Sequence, residues 1–193
     1  MLTESKLSTL KAYINPHFLF NSLNSVNALI TSNPEQAREM LINLSEYFRY
    51  SLKQKDNNFI NFADELHYTF TYFDIERLRF GERIVLKTDI DENISEIKVP
   101  VMILQPLFEN IIKHAVAESL VQIIVNFNAK INNGFLEIDL ENNYDEESIP
   151  TKGTGIGLDT TYERLHLIYQ NKDLLNYSKN KGIFKLNLKI PIN

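Results

Sequence analysis

Apolar residues in the first fifty positions recur with the spacing of two amphipathic helices, which we predict over residues 5–30 and 35–52. The apolar stripe of the first is Leu19, Leu23, Val26 and Ile30, and that of the second is Ala37, Leu41, Leu44, Phe48 and Leu52. Between them, Asn33 can cap a helix and Pro34 suits a first helical position. The pattern therefore predicts a helical hairpin, and pairing of two copies into a four-helix bundle would cover both stripes.

After a polar linker at 53–58 the pattern becomes mixed. Helical spacing returns at 62–80, where Gly81 is the stop signal, and again at 101–116 and 158–169. Five short segments favour strands: 84–90, 121–128, 135–141, 174–177 and 184–190. Helices first and mixed elements later predict an α+β chain with a dimerising hairpin over 1–58 and a second domain over 59–193. The helix at 62–80 fits either domain.

Composition narrows the classes of protein. The 193 residues are 44% apolar, which suffices for a core, and the net charge of −5 without a Lys/Arg cluster argues against a nucleic-acid partner. There is no Cys, which excludes disulfides and thiolate metal sites. No run of about 18 apolar residues and no signal peptide is present, so no membrane span is predicted. The chain opens inside a helical pattern without a cap, and we expect more protein upstream.

The first candidate for chemistry is the segment INPHFLFN, residues 14–21. Pro16 inside a helix costs about 3 kcal/mol and predicts a kink just before His17. A neutral imidazole is a good nucleophile near pH 7, and Asn21 lies one turn further on the same face. The pair suits a phosphoryl acceptor with an amide that helps remove the group. The alternative is a core histidine in a kinked helix.

The second candidate is LQPLFENIIKHA, residues 104–115. Glu109 and Lys113 lie one turn apart, as do Asn110 and His114. An Asn oxygen suits Mg²⁺, which binds chiefly through phosphates, and Lys113 adds positive charge. The alternative for Glu109 and Lys113 is an ordinary surface ion pair.

The third candidate is GTGIGL, residues 153–158, directly before a predicted helix. Glycines let backbone approach a phosphate closely, and a helix N-terminus offers free N–H groups. The segment lacks the Lys of a P-loop and does not follow a strand directly, which excludes Walker and Rossmann sites. A simple tight turn is the alternative.

With these motifs in this order, the sequence resembles the LytS-type sensor histidine kinases, whose ATP-binding domain belongs to the GHKL (Bergerat) superfamily. Residues 14–21 resemble the family's phosphoacceptor box, 104–115 its N-box and 153–158 its G-box, and YFDIERLRFGERI at 72–84 also fits. The resemblance covers nearly the whole chain. It implies an α/β sandwich with a mixed sheet that binds ATP and Mg²⁺.

The resemblance also implies roles. His17 is the phosphoacceptor, Asn110 the Mg²⁺ ligand, and Lys113 and His114 lie near the phosphates. Asn142 stands where many relatives have an Asp that accepts the adenine amino group. The base of the ATP lid, about 144–153, comprises Gly153, Gly155, Gly157 and Leu158. Phe18 follows His17 where better-known kinases have an acid, so Glu109 is the candidate base.

Three functions are compatible with these features. The first is autophosphorylation of His17 and transfer to an Asp of a response regulator, which the resemblance suggests carries a LytTR-type DNA-binding output. The second is an ATPase or nucleotide switch of the same fold, and the third a degenerate dimer scaffold, suggested by Asn142 and Phe18. The two apolar stripes predict a homodimer through residues 5–52, and the resemblance implies a cytoplasmic domain of a protein whose membrane sensor region lies upstream.

Overall fold

A computed structural model describes residues 16–53, 58–117, 119–146 and 156–192. The described chain opens with helices α1 (Pro16–Ser32) and α2 (Pro34–Lys53), followed by β1 (Phe59–Asn61), α3 (Phe62–Phe80), β2 (Ile84–Ile90) and β3 (Lys98–Pro100). Helix α4 (Gln105–Ile111) continues as a π-helical turn over Ile112–Val116, and then come β4 (Ile123–Asn132), β5 (Phe135–Asn143), α5 (Ile156–Tyr169), β6 (Leu175–Asn180) and β7 (Ile183–Pro191). Within the ranges described, none of the helices has the length and apolar character needed to span a bilayer.

The chain separates into two compact units. One comprises Met1–Asn57 with Phe70–Arg79, and the other comprises Asn58–Thr69 with Phe80–Asn193. Residues Phe70–Arg79 of helix α3 therefore belong to the first unit, and the residues of α3 before and after them belong to the second.

The hairpin of α1 and α2 forms as predicted, but its buried stripe is displaced from the expected one. Asn33 caps α2, since its Oδ1 accepts the Gln36 N–H at 3.3 Å. The buried residues of the two hairpin helices are Phe18, Ser22, Val26, Ala37, Met40, Leu44, Tyr47 and Ser51. Four members of the predicted stripes, Leu23, Ile30, Leu41 and Leu52, are instead exposed by 45 to 56%. Phe18, which the predicted stripe omitted, is buried, and its ring contacts that of Tyr47. The kink predicted before His17 stays a prediction, because the residues before Pro16, including Ala12 whose carbonyl the proline would leave without a partner, lie outside the described residues.

The second unit is built on a five-stranded mixed sheet in the order β2-β4-β5-β7-β6, with β2 and β4 parallel and the other pairs antiparallel. This confirms the predicted α+β class and mixed sheet. In both predicted β-hairpins the two turn residues have left-handed backbone conformations. Asn133 and Gly134 have φ of 49° and 81°, and Lys181 and Gly182 have φ of 48° and 72°. Such pairs match the twist of the flanking strands.

Alternate residues of the central strands supply the core. Val125, Phe127, Ala129, Leu136, Ile138, Leu140, Leu186, Leu188 and Ile190 are all at most 2% exposed. The Phe108 ring of α4 packs 5.8 Å from that of Phe127, which anchors α4 to the inner face of the sheet.

The helix predicted over 101–116 begins later than expected and ends as expected, at Val116. Residues 98–100 pair with 59–61 as a small antiparallel sheet, residues 101–104 turn, and α4 begins only at Gln105. Pro106 lies in the first turn of α4, where a backbone N–H has no acceptor within the helix, so the missing N–H of proline costs no helical hydrogen bond. The last five residues widen into a π-helical turn, a form that is often found at functional positions.

Candidate active site

The first unit presents His17 to solvent on α1. Its neighbour Phe18 is only 4% exposed, and the Phe18 ring lies 5.1 Å from that of Tyr47 and 5.0 Å from that of Tyr72. Adjacent helical residues point about 100° apart, so burial of Phe18 leaves His17 outside the hairpin core. Phe18 thus fixes the rotation of the helix that exposes the imidazole, and the core-histidine alternative for His17 is excluded.

Asn21 contacts the His17 ring one turn along α1, as its spacing predicts. Its Nδ2 lies 3.2 Å from Nδ1 and 3.3 Å from Nε2 of His17. The amide therefore sits at the ring edge that carries both nitrogens, and only one of them can accept its hydrogen bond at a time. A polar group held here by α1 is within reach of anything bonded to either nitrogen.

The second unit contains a cavity of about 250 Å³ beside α4 and the π-helical turn. Four residues singled out in the sequence line it: Asn110 and His114 from α4 and the turn, Asn142 from the end of β5, and Leu158 from α5. These residues come from three segments far apart in the chain, and the fold brings them to one place. The surfaces that bind small molecules in proteins are usually concave sites of this kind, mostly apolar with a few polar groups.

Asn142, which lines this cavity, has a buried acceptor without a partner in the described part of the chain. The residue is 2% exposed, and its Nδ2 donates to the backbone carbonyl of Asn143 at 2.8 Å. Its Oδ1 is buried and has no hydrogen-bond partner among the described residues. A buried acceptor without a donor costs about 1–3 kcal/mol, so a ligand N–H at this point would be stabilised. The exocyclic amino group of adenine is such a donor.

One wall of the cavity was not predicted. Tyr144 follows β5, and Tyr177, Lys179 and Phe184 project from the β6–β7 hairpin. The Lys179 Nζ lies 4.0 Å from the centroid of the Tyr144 ring, and the Tyr177 and Phe184 rings are 6.1 Å apart. Aromatic faces of this kind suit a planar base. The only signal in the sequence is their density around the last hairpin, which also fits a plain core.

Glu109 and Lys113 do not line the cavity among the described residues. The side chain of Gln105 donates from its Nε2 to the Glu109 Oε1. Burial raises the pKa of the Glu109 carboxyl, and that hydrogen bond partly offsets the rise. Lys113 is exposed on the π-helical turn. Their predicted roles as base and phosphate contact remain predictions.

Of the glycine segment, Gly153 and Gly155 lie outside the described residues, as does most of the predicted lid. Gly157 stands exposed in the first turn of α5, where an added Cβ would meet no atom within 4 Å. The neighbouring Leu158 is 8% exposed and ties this end of α5 to the cavity.

Comparison with known proteins agrees with this picture. The sequence profile described as histidine kinase matches residues 5–84. The chain is 35% identical over 165 residues to the sensor histidine kinase BtsS of Escherichia coli K12, covering 86% of this chain and 29% of that protein. It is 31% identical over 193 aligned positions to the sensor protein LytS of Staphylococcus haemolyticus, covering 94% of this chain and 33% of that protein. The chain thus spans about a third of the length of these curated relatives.

Solved structures share the fold. The catalytic domain of the histidine kinase ThkA superposes with a TM-score of 0.52 at 12% identity, covering 69% of this chain and 95% of that one. The histidine kinase AdeS of Acinetobacter baumannii superposes with a TM-score of 0.51 at 16% identity, covering 86% of this chain and 83% of that one.

Proposed function

Because this chain belongs to the histidine kinase family, within its LytS-type sensor kinases, we propose that it binds Mg-ATP in the cavity beside α4 and transfers the γ-phosphoryl group to His17. The observation that carries the proposal is the pairing of two features in one chain. An exposed His17 stands beside Asn21, and a cavity elsewhere in the fold presents Asn110, His114 and the unsatisfied Oδ1 of Asn142.

ATP use follows from the family, and the cavity fits the nucleotide. The Oδ1 of Asn142 accepts the adenine amino group, and the aromatic wall covers the base. Asn110 offers an amide oxygen at the cavity edge, which suits a Mg²⁺ ion whose other ligands are water and phosphate. When bound, Mg²⁺ would neutralise part of the negative charge of the phosphates.

The chemistry assigned to His17 is a direct displacement. One imidazole nitrogen attacks the γ-phosphorus, so that an N–P bond forms as the bond to the β–γ bridging oxygen breaks and ADP departs. The proton on the other ring nitrogen passes to a base. Glu109 is the proposed acceptor, since a carboxyl whose pKa is raised holds a proton better near neutral pH. The phosphoryl group then moves to an Asp of a response regulator, for which a LytTR-type output is proposed.

Incubation with γ-labelled ATP separates this function from its rivals. Acid-labile label on the protein supports the kinase. Free phosphate without labelled protein indicates an ATPase or nucleotide switch, and failure to bind ATP indicates a scaffold.

Asn21→Ala is expected to accept phosphate and lose it more slowly. The Asn21 amide lies 3.2 Å from the imidazole, so it can orient a water or a phosphoryl oxygen during hydrolysis. After labelling and removal of ATP, the label on Asn21→Ala should decay several-fold more slowly than on the parent, about 1 kcal/mol in barrier. Asn24→Ala, an exposed Asn on the same helix, should decay like the parent. If Asn21→Ala takes up no label, the residue acts in the forward reaction instead.

We further propose a homodimer through the hairpin. Four large apolar side chains, Leu23, Ile30, Leu41 and Leu52, are about half exposed in the single chain, and a second copy would cover them in a four-helix bundle. Light scattering at about 50 µM, a concentration at which weak dimers are populated, should give twice the chain mass. Replacing Leu23 and Ile30 by Glu should yield monomers, and replacing the exposed Asn24 and Asn27 by Asp should not. A parent that is monomeric at this concentration contradicts the proposal.

A further inference from the structure

Glu65, in the first turn of α3, is a carboxylate with no exposed surface. It does not line the cavity, and the proposed reaction does not use it. Burying a carboxylate is costly unless its oxygens are well hydrogen-bonded, so its position needs a structural account.

Its partners are successive backbone N–H groups of the turn before α4. The Glu65 Oε2 accepts the Met102 N–H at 2.8 Å, and Oε1 accepts the Leu104 N–H at 2.9 Å. The Ile103 N–H also bonds to the carboxyl. Consecutive N–H groups that converge on one anion form a backbone nest. Met102 has φ of 55°, a left-handed conformation that an unbranched side chain rarely adopts, and the carboxylate stabilises it.

This turn leads directly into the helix of the cavity. The Leu104 carbonyl accepts the Leu107 N–H at 3.0 Å, which closes the first turn of α4. Asn110 and His114 follow along α4 and its π-helical extension and line the cavity. The place of these two side chains therefore depends on where the turn starts the helix.

We propose that Glu65 is a positioning residue for the nucleotide cavity, whose ionised carboxylate holds residues 101–104 in the shape from which α4 presents Asn110 and His114. The part of this proposal that concerns nucleotide rests on the proposed function. The part that concerns the turn stands without it.

Burial and hydrogen bonding act on this carboxyl in opposite directions. Burial raises the pKa of the Glu65 carboxyl to about 7, against the lowering effect of the Leu104, Met102 and Ile103 N–H groups and of the Arg164 guanidinium on α5. Arg164 also donates to the Met102 carbonyl at 3.5 Å, so it faces the same turn. Above this pKa the carboxyl is ionised and both of its oxygens accept, so the role of the carboxylate is tested at pH 8.5.

The test is a titration of TNP-ATP with Mg²⁺ at pH 8.5 on the parent chain and Glu65→Gln. Gln keeps the shape of the side chain, but it offers one acceptor oxygen and places an NH₂ group against a backbone N–H. We expect the variant to bind at least about fivefold more weakly. Glu92→Gln, which changes an exposed carboxyl in the same unit, should bind like the parent. A Glu65→Gln variant with parental affinity overturns the proposal.

Amide hydrogen exchange of the nucleotide-free parent and of Glu65→Gln at pH 8.5 provides a second measurement that needs no nucleotide. The protection factors of Met102, Ile103 and Leu104 should be several-fold lower in the variant, whereas that of Phe127 in β4 should be unchanged. Unchanged protection at the turn overturns the role of Glu65 even if nucleotide binds. If the parent binds no nucleotide but the variant shows this loss of protection, the proposed function is contradicted and Glu65 remains the residue that holds the turn.

Discussion

His17→Gln is expected to take up no label from γ-labelled ATP. The substitution removes the nucleophilic nitrogen and changes little else, because the side chain is exposed and the buried residues of α1 are Phe18, Ser22 and Val26. The variant should therefore fold and bind nucleotide like the parent. The label on the parent should be lost in acid and retained in base, as expected for a P–N bond. The loss should reach the background of the assay, the largest effect anticipated for any single change.

The matched control is His67→Gln, which removes another exposed imidazole, in α3. It should be labelled as fully as the parent. If His17→Gln is labelled equally well, the acceptor is another residue. The ATPase function then takes first place if phosphate release persists without labelled protein.

Asn110→Ala is expected to weaken binding of Mg-ATP by at least about tenfold, roughly 1.4 kcal/mol. Asn110 stands at the cavity on a helix whose neighbours Leu107, Phe108 and Ile111 are buried and apolar, so its amide is the polar group that α4 offers there. Loss of a metal ligand commonly costs this much or more, because second-shell changes alone cost 10 to 100-fold in metal affinity. Titration calorimetry at fixed Mg²⁺ measures the effect.

Comparison of nucleotide binding with and without Mg²⁺ separates a metal ligand from a packing residue. For Asn110→Ala the benefit of adding Mg²⁺ should shrink, whereas Asn128→Ala, an exposed Asn in β4 away from the cavity, should keep the full benefit. An Asn110→Ala variant with parental affinity removes the residue from the metal site and makes Glu109 the next candidate.

Periodicity predicted the central strands of the sheet well. The strands β4, β5 and β7 alternate between buried and outward residues, and the turns at Asn133 and Lys181 use residues that adopt positive φ. Each of these features is local, so the sequence alone carries it. The cavity residues Asn110, His114, Asn142 and Leu158 were named through motifs, and their meeting at one place required the fold.

What the sequence did not predict depends on contacts between distant segments. The pairing of Phe59–Asn61 with Lys98–Pro100 joins two three-residue strands that are too short to show a period. In the sequence Glu65 looks like any acidic residue in the first turn of a helix. Its burial is explained only by the N–H groups of Met102 and Leu104, which lie far away in the chain. On α1 the buried positions are Phe18 and Ser22, each one residue before the predicted Leu19 and Leu23, while Val26 is buried as predicted; spacing alone does not distinguish the two faces.

Helix α3 limits how the protein can be divided into fragments. Its residues Phe70–Arg79 group with the hairpin, where the Tyr72 ring packs on Phe18, and its first turns group with the α/β unit, where Glu65 holds the turn before α4. A fragment that ends near residue 58 loses Tyr72 from the aromatic cluster behind His17. A fragment that begins at Gly81 leaves the N–H groups of Met102 and Leu104 without their acceptor. Each half is therefore complete only when α3 is included, so expression of either part on its own should retain residues 62–80.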